Sequence, residues 1–197
     1  MLDFKPKHTY TLDEYFELEK STDEKFEFWD GIVWSMSGAR FSHNRIANNL
    51  SIDLGTKLRD KGCSSMGSDM RIKVPSYPPY RYPDMTAQCN EPVIEQVGGI
   101  EMLVNPQLII EILSDSTEAF DRGDKFTYYK SILSFTEYLL IAQHRPHVTQ
   151  FVKHGDGFWA NFEFNDLADV VDLQSVGCSV TLTSIYRDVV FPNSNLS

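Results

Sequence analysis

In the segment Leu108-Ile-Ile-Glu-Ile-Leu113 five positions are apolar and one, Glu111, is a carboxylate. A short run rich in β-branched residues, bounded by Asn105-Pro106 and by Ser114-Asp-Ser-Thr117, predicts a strand buried on both faces. Upstream, Thr11-Leu-Asp-Glu14 has the form of a capping box, and a short helix follows over about 11–20. Lys25 to Met36 alternates around Asp30-Gly31, a two-residue hairpin signal. From Ser42 to Lys61 the residues Ile46, Ala47, Leu50, Leu54 and Leu58 recur at helical spacing, with Gly62 in place to stop the helix.

The next segments read as strands at Ser68–Val74 and Tyr80–Ala87, joined through Pro75–Pro79, with Pro83 marking an edge, a bulge or a strand start. Asn90–Gly99 reads as a loop. Ser116-Thr117 is placed to cap a helix running to about Ile132, and a strand follows at Glu137–Ala142. Val148–Val152 and Gly157–Glu163 form a second hairpin pattern; Val170–Leu173, Ser179–Leu182 and a helical turn at Thr183–Tyr186 complete the chain. Helices interspersed with antiparallel strands and one doubly buried strand predict an α/β or α+β fold, a mixed sheet flanked by helices with additional β-hairpins.

The 197 residues, 42% hydrophobic, suit one domain over 1–197 with a sizeable core. A formal net charge of -10 repels phosphate backbones and membrane surfaces as a whole, which leaves only a local basic groove for nucleic acid. Arg40, Arg45, Arg71, Lys73, Arg81 and Arg122 are the residues from which such a groove would be built. Three cysteines without CxxC spacing fit reduced thiols better than a disulfide framework. No apolar run approaches the ~20 residues needed to cross a bilayer, so the expected location is cytoplasmic, without membrane contact.

Glu111 needs a partner. An ionised carboxylate on a buried strand is protonated, paired with a cation or bound to a metal. Two further acids sit on strands among aromatic neighbours: Glu27 between Phe26 and Phe28, and Asp84 after Tyr82-Pro83. Strand acids aimed at one spot bind a hard cation, Mg²⁺ or Mn²⁺. Taken singly, each has a plain structural explanation, Glu111 as half of a buried ion pair among them. His144 and His147, beside Pro146, fit a loop better than a ligand pair, and Phe158, Trp159, Phe162 and Phe164 fit core or dimer surface better than a base-stacking platform.

Tyr82-Pro-Asp84, the strand carrying Glu111, Ser114-Asp-Ser-Thr117 and Asp121-Arg-Gly-Asp-Lys125 together resemble the Uma-type family of putative restriction endonucleases, a branch of the PD-(D/E)XK nuclease superfamily. The Lys25–Gly31 hairpin and Ser42-His43 fit the same pattern. The resemblance implies a restriction-endonuclease-like core, Mg²⁺-dependent cleavage of DNA and a homodimer. It assigns Asp84 and Glu111 as metal-holding catalytic acids and Glu27 as an additional acid. Leu113 stands where the superfamily has a lysine. Lys125, reaching back from the following helix, is the replacement; its alternative reading is a surface pair with Asp121. Lys73 and His43 are auxiliary candidates. Two other functions stay open: a catalytically inactive binding module on a nuclease fold, and a structural Glu111–Lys125 pair with no nucleic-acid role.

Overall fold

Thr11 and Glu14 close the predicted capping box, the Thr11 side chain accepting the Glu14 N–H and the Glu14 carboxylate accepting the Thr11 N–H. This starts α1 (Leu12–Ser21) in the computed structural model, which describes residues 9–36 and 38–191. β1 (Phe26–Trp29) and β2 (Ile32–Ser35) follow as the predicted hairpin. Asp30 and Gly31 turn it with φ of 43° and 80°, the left-handed conformation that a two-residue turn of this hand requires. A Cβ at Gly31 would stand 2.2 Å from Thr9 Cγ2, so only glycine fits there. The apolar stripe of the long helix becomes α2 (Phe41–Leu58), with Ile46, Leu50, Leu54 and Leu58 buried and Gly62 at φ 66° in the turn beyond.

Four expectations between residues 63 and 103 are corrected. β3 (Cys63–Gly67) lies where no strand was predicted. The segment 68–74 keeps only β4 (Ile72–Lys73), and 80–87 divides into β5 (Tyr80–Arg81) and β6 (Met85–Cys89). The division falls at Tyr82-Pro83-Asp84, because proline cannot donate to a ladder and the chain changes sheets there. The predicted loop 90–99 contains β7 (Ile94–Val97), which turns at Gly98-Gly99 into β8 (Ile100–Leu103); its exposure on every residue hides the alternation that marks a strand.

β9 (Leu108–Leu113) is buried along its whole length, as its composition predicts. The helix after it is not regular: α3 (Glu118–Phe120), a π-helical turn over Asp121–Lys125, and α4 (Phe126–Tyr129) run on from one another. Thr117 occupies the capping position but makes no cap hydrogen bond; its hydroxyl donates to Asp121 Oδ2 at 2.8 Å instead. β10 (Glu137–Ala142), β11 (Val148–Lys153), β12 (Trp159–Phe164), β13 (Val170–Leu173), β14 (Cys178–Thr181) and α5 (Leu182–Ile185) follow the expected order.

The main sheet is mixed, in the order β12-β11-β10-β9-β6-β3, with β9 and β10 parallel. Along β9, Leu108, Ile110 and Ile112 pack with α2 and the β13–α5 region on one face. Ile109 and Leu113 pack with Phe126, Tyr129 and Tyr138 on the other. Glu111 falls in this second set by strand alternation, which aims it at the α3–α4 helix. The cysteine expectation is also corrected: Cys63 and Cys89, opposite one another on β3 and β6 with Cα atoms 3.9 Å apart, form a disulfide, and Cys178 alone is free. Spacing along the chain does not reveal this, because the antiparallel register brings the pair together.

Candidate active site

Lys125 Nζ lies 2.9 Å from Glu111 Oε1 and 3.2 Å from Asp121 Oδ1, all three side chains being almost fully buried. The Tyr129 hydroxyl donates to Glu111 Oε1 at 2.7 Å. Asp121, Lys125 and Tyr129 are spaced four apart, and the π turn keeps the first two buried against the sheet, while Arg122 beside them spans Glu118 and the Thr149 hydroxyl of β11. The surface Asp121–Lys125 pair weighed from the sequence is therefore present but buried, with Glu111 as its third member. Single π turns recur at functional sites because the extra residue re-aims side chains.

Asp84 follows the Pro83 break. β6 and β9 are antiparallel with Met85 opposite Ile110, so Asp84 falls opposite Glu111 one step further along. Its Oδ2 accepts the Ile112 N–H at 2.7 Å, and its Oδ1 lies 3.2 Å from His43 Nε2. His43 belongs to the first turn of α2, and its buried Nδ1 has no partner. Glu27, on β1, accepts the Tyr82 N–H at 3.2 Å. Glu27, His43, Asp84, Glu111, Asp121 and Lys125 all line one cavity of about 850 Å³.

This cavity holds more negative charge than its ammonium cancels. Burial lifts the Glu111 carboxyl well above the usual carboxylate range; Lys125 pulls it back, and Asp121 and Asp84 push it up again. For Lys125, burial pulls the ammonium down, but Glu111 and Asp121 outweigh it and hold Lys125 well above its ordinary value. Burial is the larger cause for Glu111, and the neighbouring carboxylates are what raise Lys125. Buried Asp121 Oδ1 accepts no hydrogen bond and has the Lys125 ammonium at 3.2 Å. A divalent cation fits that surplus. Among the described residues no three His, Cys, Asp or Glu side chains gather tightly enough to hold a metal alone. An ion between Asp84 and Glu111 would complete its shell with water, as Mg²⁺ ordinarily does.

Other predicted residues lie elsewhere. Lys73 pairs with Glu95 and does not line the cavity. Most of the supposed basic groove is engaged or buried: Arg71 binds Glu19 at 3.0 Å, Arg40 binds Asp115 at 2.9 Å, and Arg81 is 1% exposed against the rings of Trp29 and Tyr77. Tyr129 and Asp121 were not singled out as site residues, although their four-residue spacing about Lys125 carries that signal. Gln143, buried just beyond β10, lines the cavity and accepts the Ser42 hydroxyl at 3.1 Å; nothing in its sequence context marks it.

Comparison with known proteins places this geometry in a group. The family described as "Uma2: Putative restriction endonuclease" matches residues 12–183. Two uncharacterised proteins of Synechocystis are similar: slr1290, 30% identical over 91% of this chain and 92% of its own length, and sll1609, 36% identical over 76% and 84%. A crystal structure described as a putative nuclease belonging to DUF820, from Anabaena variabilis, shares the fold with a TM-score of 0.71 at 15% identity, covering 90% of this chain and 97% of that one.

Proposed function

The chain belongs to the Uma2 putative restriction endonuclease family, and from that premise we propose that it hydrolyses phosphodiester bonds of DNA at the Asp84–Glu111 cavity with Mg²⁺ or Mn²⁺. The observation that carries this reading is the Asp84 carboxylate tied to the backbone N–H of Ile112, the residue after Glu111, so that acids from two adjacent strands open on one space. Asp84 and Glu111 would hold the ion. When bound, the ion polarises the phosphoryl group and lowers the pKa of a coordinated water.

This chain's own side chains supply the rest. Asp84 is fixed at one oxygen by Ile112 and faces His43 with the other. Lys125 replaces the lysine missing at Leu113: its ammonium reaches Glu111 from the crossover helix and presents N–H donors to an attacking water or a phosphate oxygen. Asp121 keeps that ammonium charged, and Tyr129 fixes the Glu111 rotamer. Glu27 adds an acid from the hairpin.

A second reading is favoured by the 2.9 Å Glu111–Lys125 contact, which satisfies both groups without an ion. In that reading the pair is structural and the protein has no nucleic-acid role. Asp84 turned away would strengthen it; Asp84 instead lines the same cavity.

Calorimetry with Mg²⁺ and Mn²⁺ on the wild type, Asp84→Asn and Glu111→Gln, followed by plasmid nicking with the same proteins and Lys125→Ala, separates the two. Metal binding lost in both acid variants, with nicking lost in all three, supports the nuclease. Absence of binding at millimolar metal overturns it.

A further inference from the structure

The three Lys and Arg side chains that line the cavity are already matched: Lys25 pairs with Asp69, Arg40 with Asp115 at 2.9 Å, and Lys125 with Glu111 and Asp121. Each of these carboxylates lines the cavity too. Duplex binding draws most of its affinity from unpaired cations that displace counterions from phosphate, and among the described residues lining the cavity every Lys and Arg is paired, Arg45 standing outside the lining. Exposed aromatic rings stand beside that lining. Trp34 is 58% exposed and stands directly opposite Glu27 in the β1–β2 register, so the two side chains leave the same face of the hairpin. Phe41, 70% exposed, opens α2 one turn before Asn44, which lines the cavity, and the Arg45 guanidinium lies 5.3 Å over its ring.

Resting on the nuclease reading, we propose that the substrate is single-stranded or locally unpaired DNA, its bases stacking on Trp34 and Phe41 at the cavity mouth. An exposed ring accepts any base face, and a guanidinium stacked on that ring extends the platform. Paired bases keep their faces inside the stack and cannot use it. Neither ring lines the cavity itself, but Trp34 stands opposite Glu27 and next to Ser35, and Phe41 follows Arg40, all three of which do.

The test is fluorescence anisotropy in Ca²⁺ with a labelled oligothymidylate of about 12 nucleotides, against the matching oligothymidylate–oligoadenylate duplex. Wild type, Trp34→Ala/Phe41→Ala and the conservative Trp34→Phe are compared, with circular dichroism and sedimentation on each. The expected result is a single strand bound about tenfold more tightly than duplex, a loss of about tenfold in the double alanine variant, and recovery in Trp34→Phe. Equal or tighter duplex binding overturns the proposal. So does an alanine variant that binds normally but no longer self-associates, since the rings then cover a second copy of the chain. Duplex nicking in Mg²⁺ indifferent to Trp34 sinks this inference and leaves the nuclease standing; no binding or cleavage of either form sinks both.

Discussion

Lys125 is held between two carboxylates, and its removal should be costly whatever the protein does. Lys125→Ala leaves Glu111 and Asp121 buried without a cation, and breaking such a pair costs about 3–5 kcal/mol. A urea midpoint close to wild type would contradict the geometry. Tyr129→Phe removes a single donor from Glu111 and should cost about 1–3 kcal/mol with the fold intact, readable in the same melts. Glu137 gives a pH prediction. Burial lifts its carboxyl above the ordinary range, while Ser175 and Gln150 hydrogen bonds pull it partly back. A raised folded value means that the native state keeps the proton longer than the unfolded chain. Stability contributed there falls as pH rises from about 4.3 through the raised folded value. Glu137→Gln should flatten that decline, measured as the difference in urea midpoint between acid and neutral pH. The sequence announces Glu111 by its apolar neighbours and Asp84 by its proline. It is silent on Glu137, whose partners Gln150 and Ser175 come from other strands and loops.

Among the elements, α1 packs on the rest through Tyr15 and Phe16 and is bonded to it most densely through Glu19. Glu19 takes the Phe26 N–H and the Tyr80 and Tyr82 hydroxyls, and pairs with Arg71, all at 3.0 Å or less. It thereby ties the helix to the hairpin that bears Glu27 and to the segment leading to Asp84. Glu19→Gln should cost about 2 kcal/mol by leaving buried donors mismatched, with metal affinity weakened alongside stability; calorimetry and melts on one sample check both. The Cys63–Cys89 bridge joins β3 to β6 across a separation of 26 residues. Its reduction should lower stability by about 3 kcal/mol. In the oxidised protein only Cys178 should remain as a thiol, unreactive to thiol reagents until the chain unfolds, since burial raises its pKa. Periodicity made α1, α2, β9 and β10 legible, because each presents one clean buried pattern. It missed β3 and β7, which are short and largely exposed, and it missed the π turn, because the one-residue excess of Asp121–Lys125 is absorbed only in contact with the sheet.

At the scale of the molecule, surplus negative charge sits in one cavity of a chain already at -10. Mg²⁺ or Mn²⁺ at about a hundredfold its dissociation constant should stabilise the native state by about 2.7 kcal/mol. The rise in melting temperature should vanish in Asp84→Asn; a shift of equal size in that variant would place the ion elsewhere. The mixed sheet with helices on both faces was readable from the order of elements, whereas the convergence of Glu27, His43, Asp84 and Lys125 depends on which strands become neighbours. That neighbour relation also sets the order of assembly. β9 and β10 are parallel, so they meet only after the intervening crossover has folded back, and that crossover carries Asp121, Lys125 and Tyr129. Distant pairing of this kind is slow to nucleate. On refolding from denaturant, the Mn²⁺ uptake proposed for the cavity should return only once β9 and β10 have paired, and a chain without that pairing should take up none.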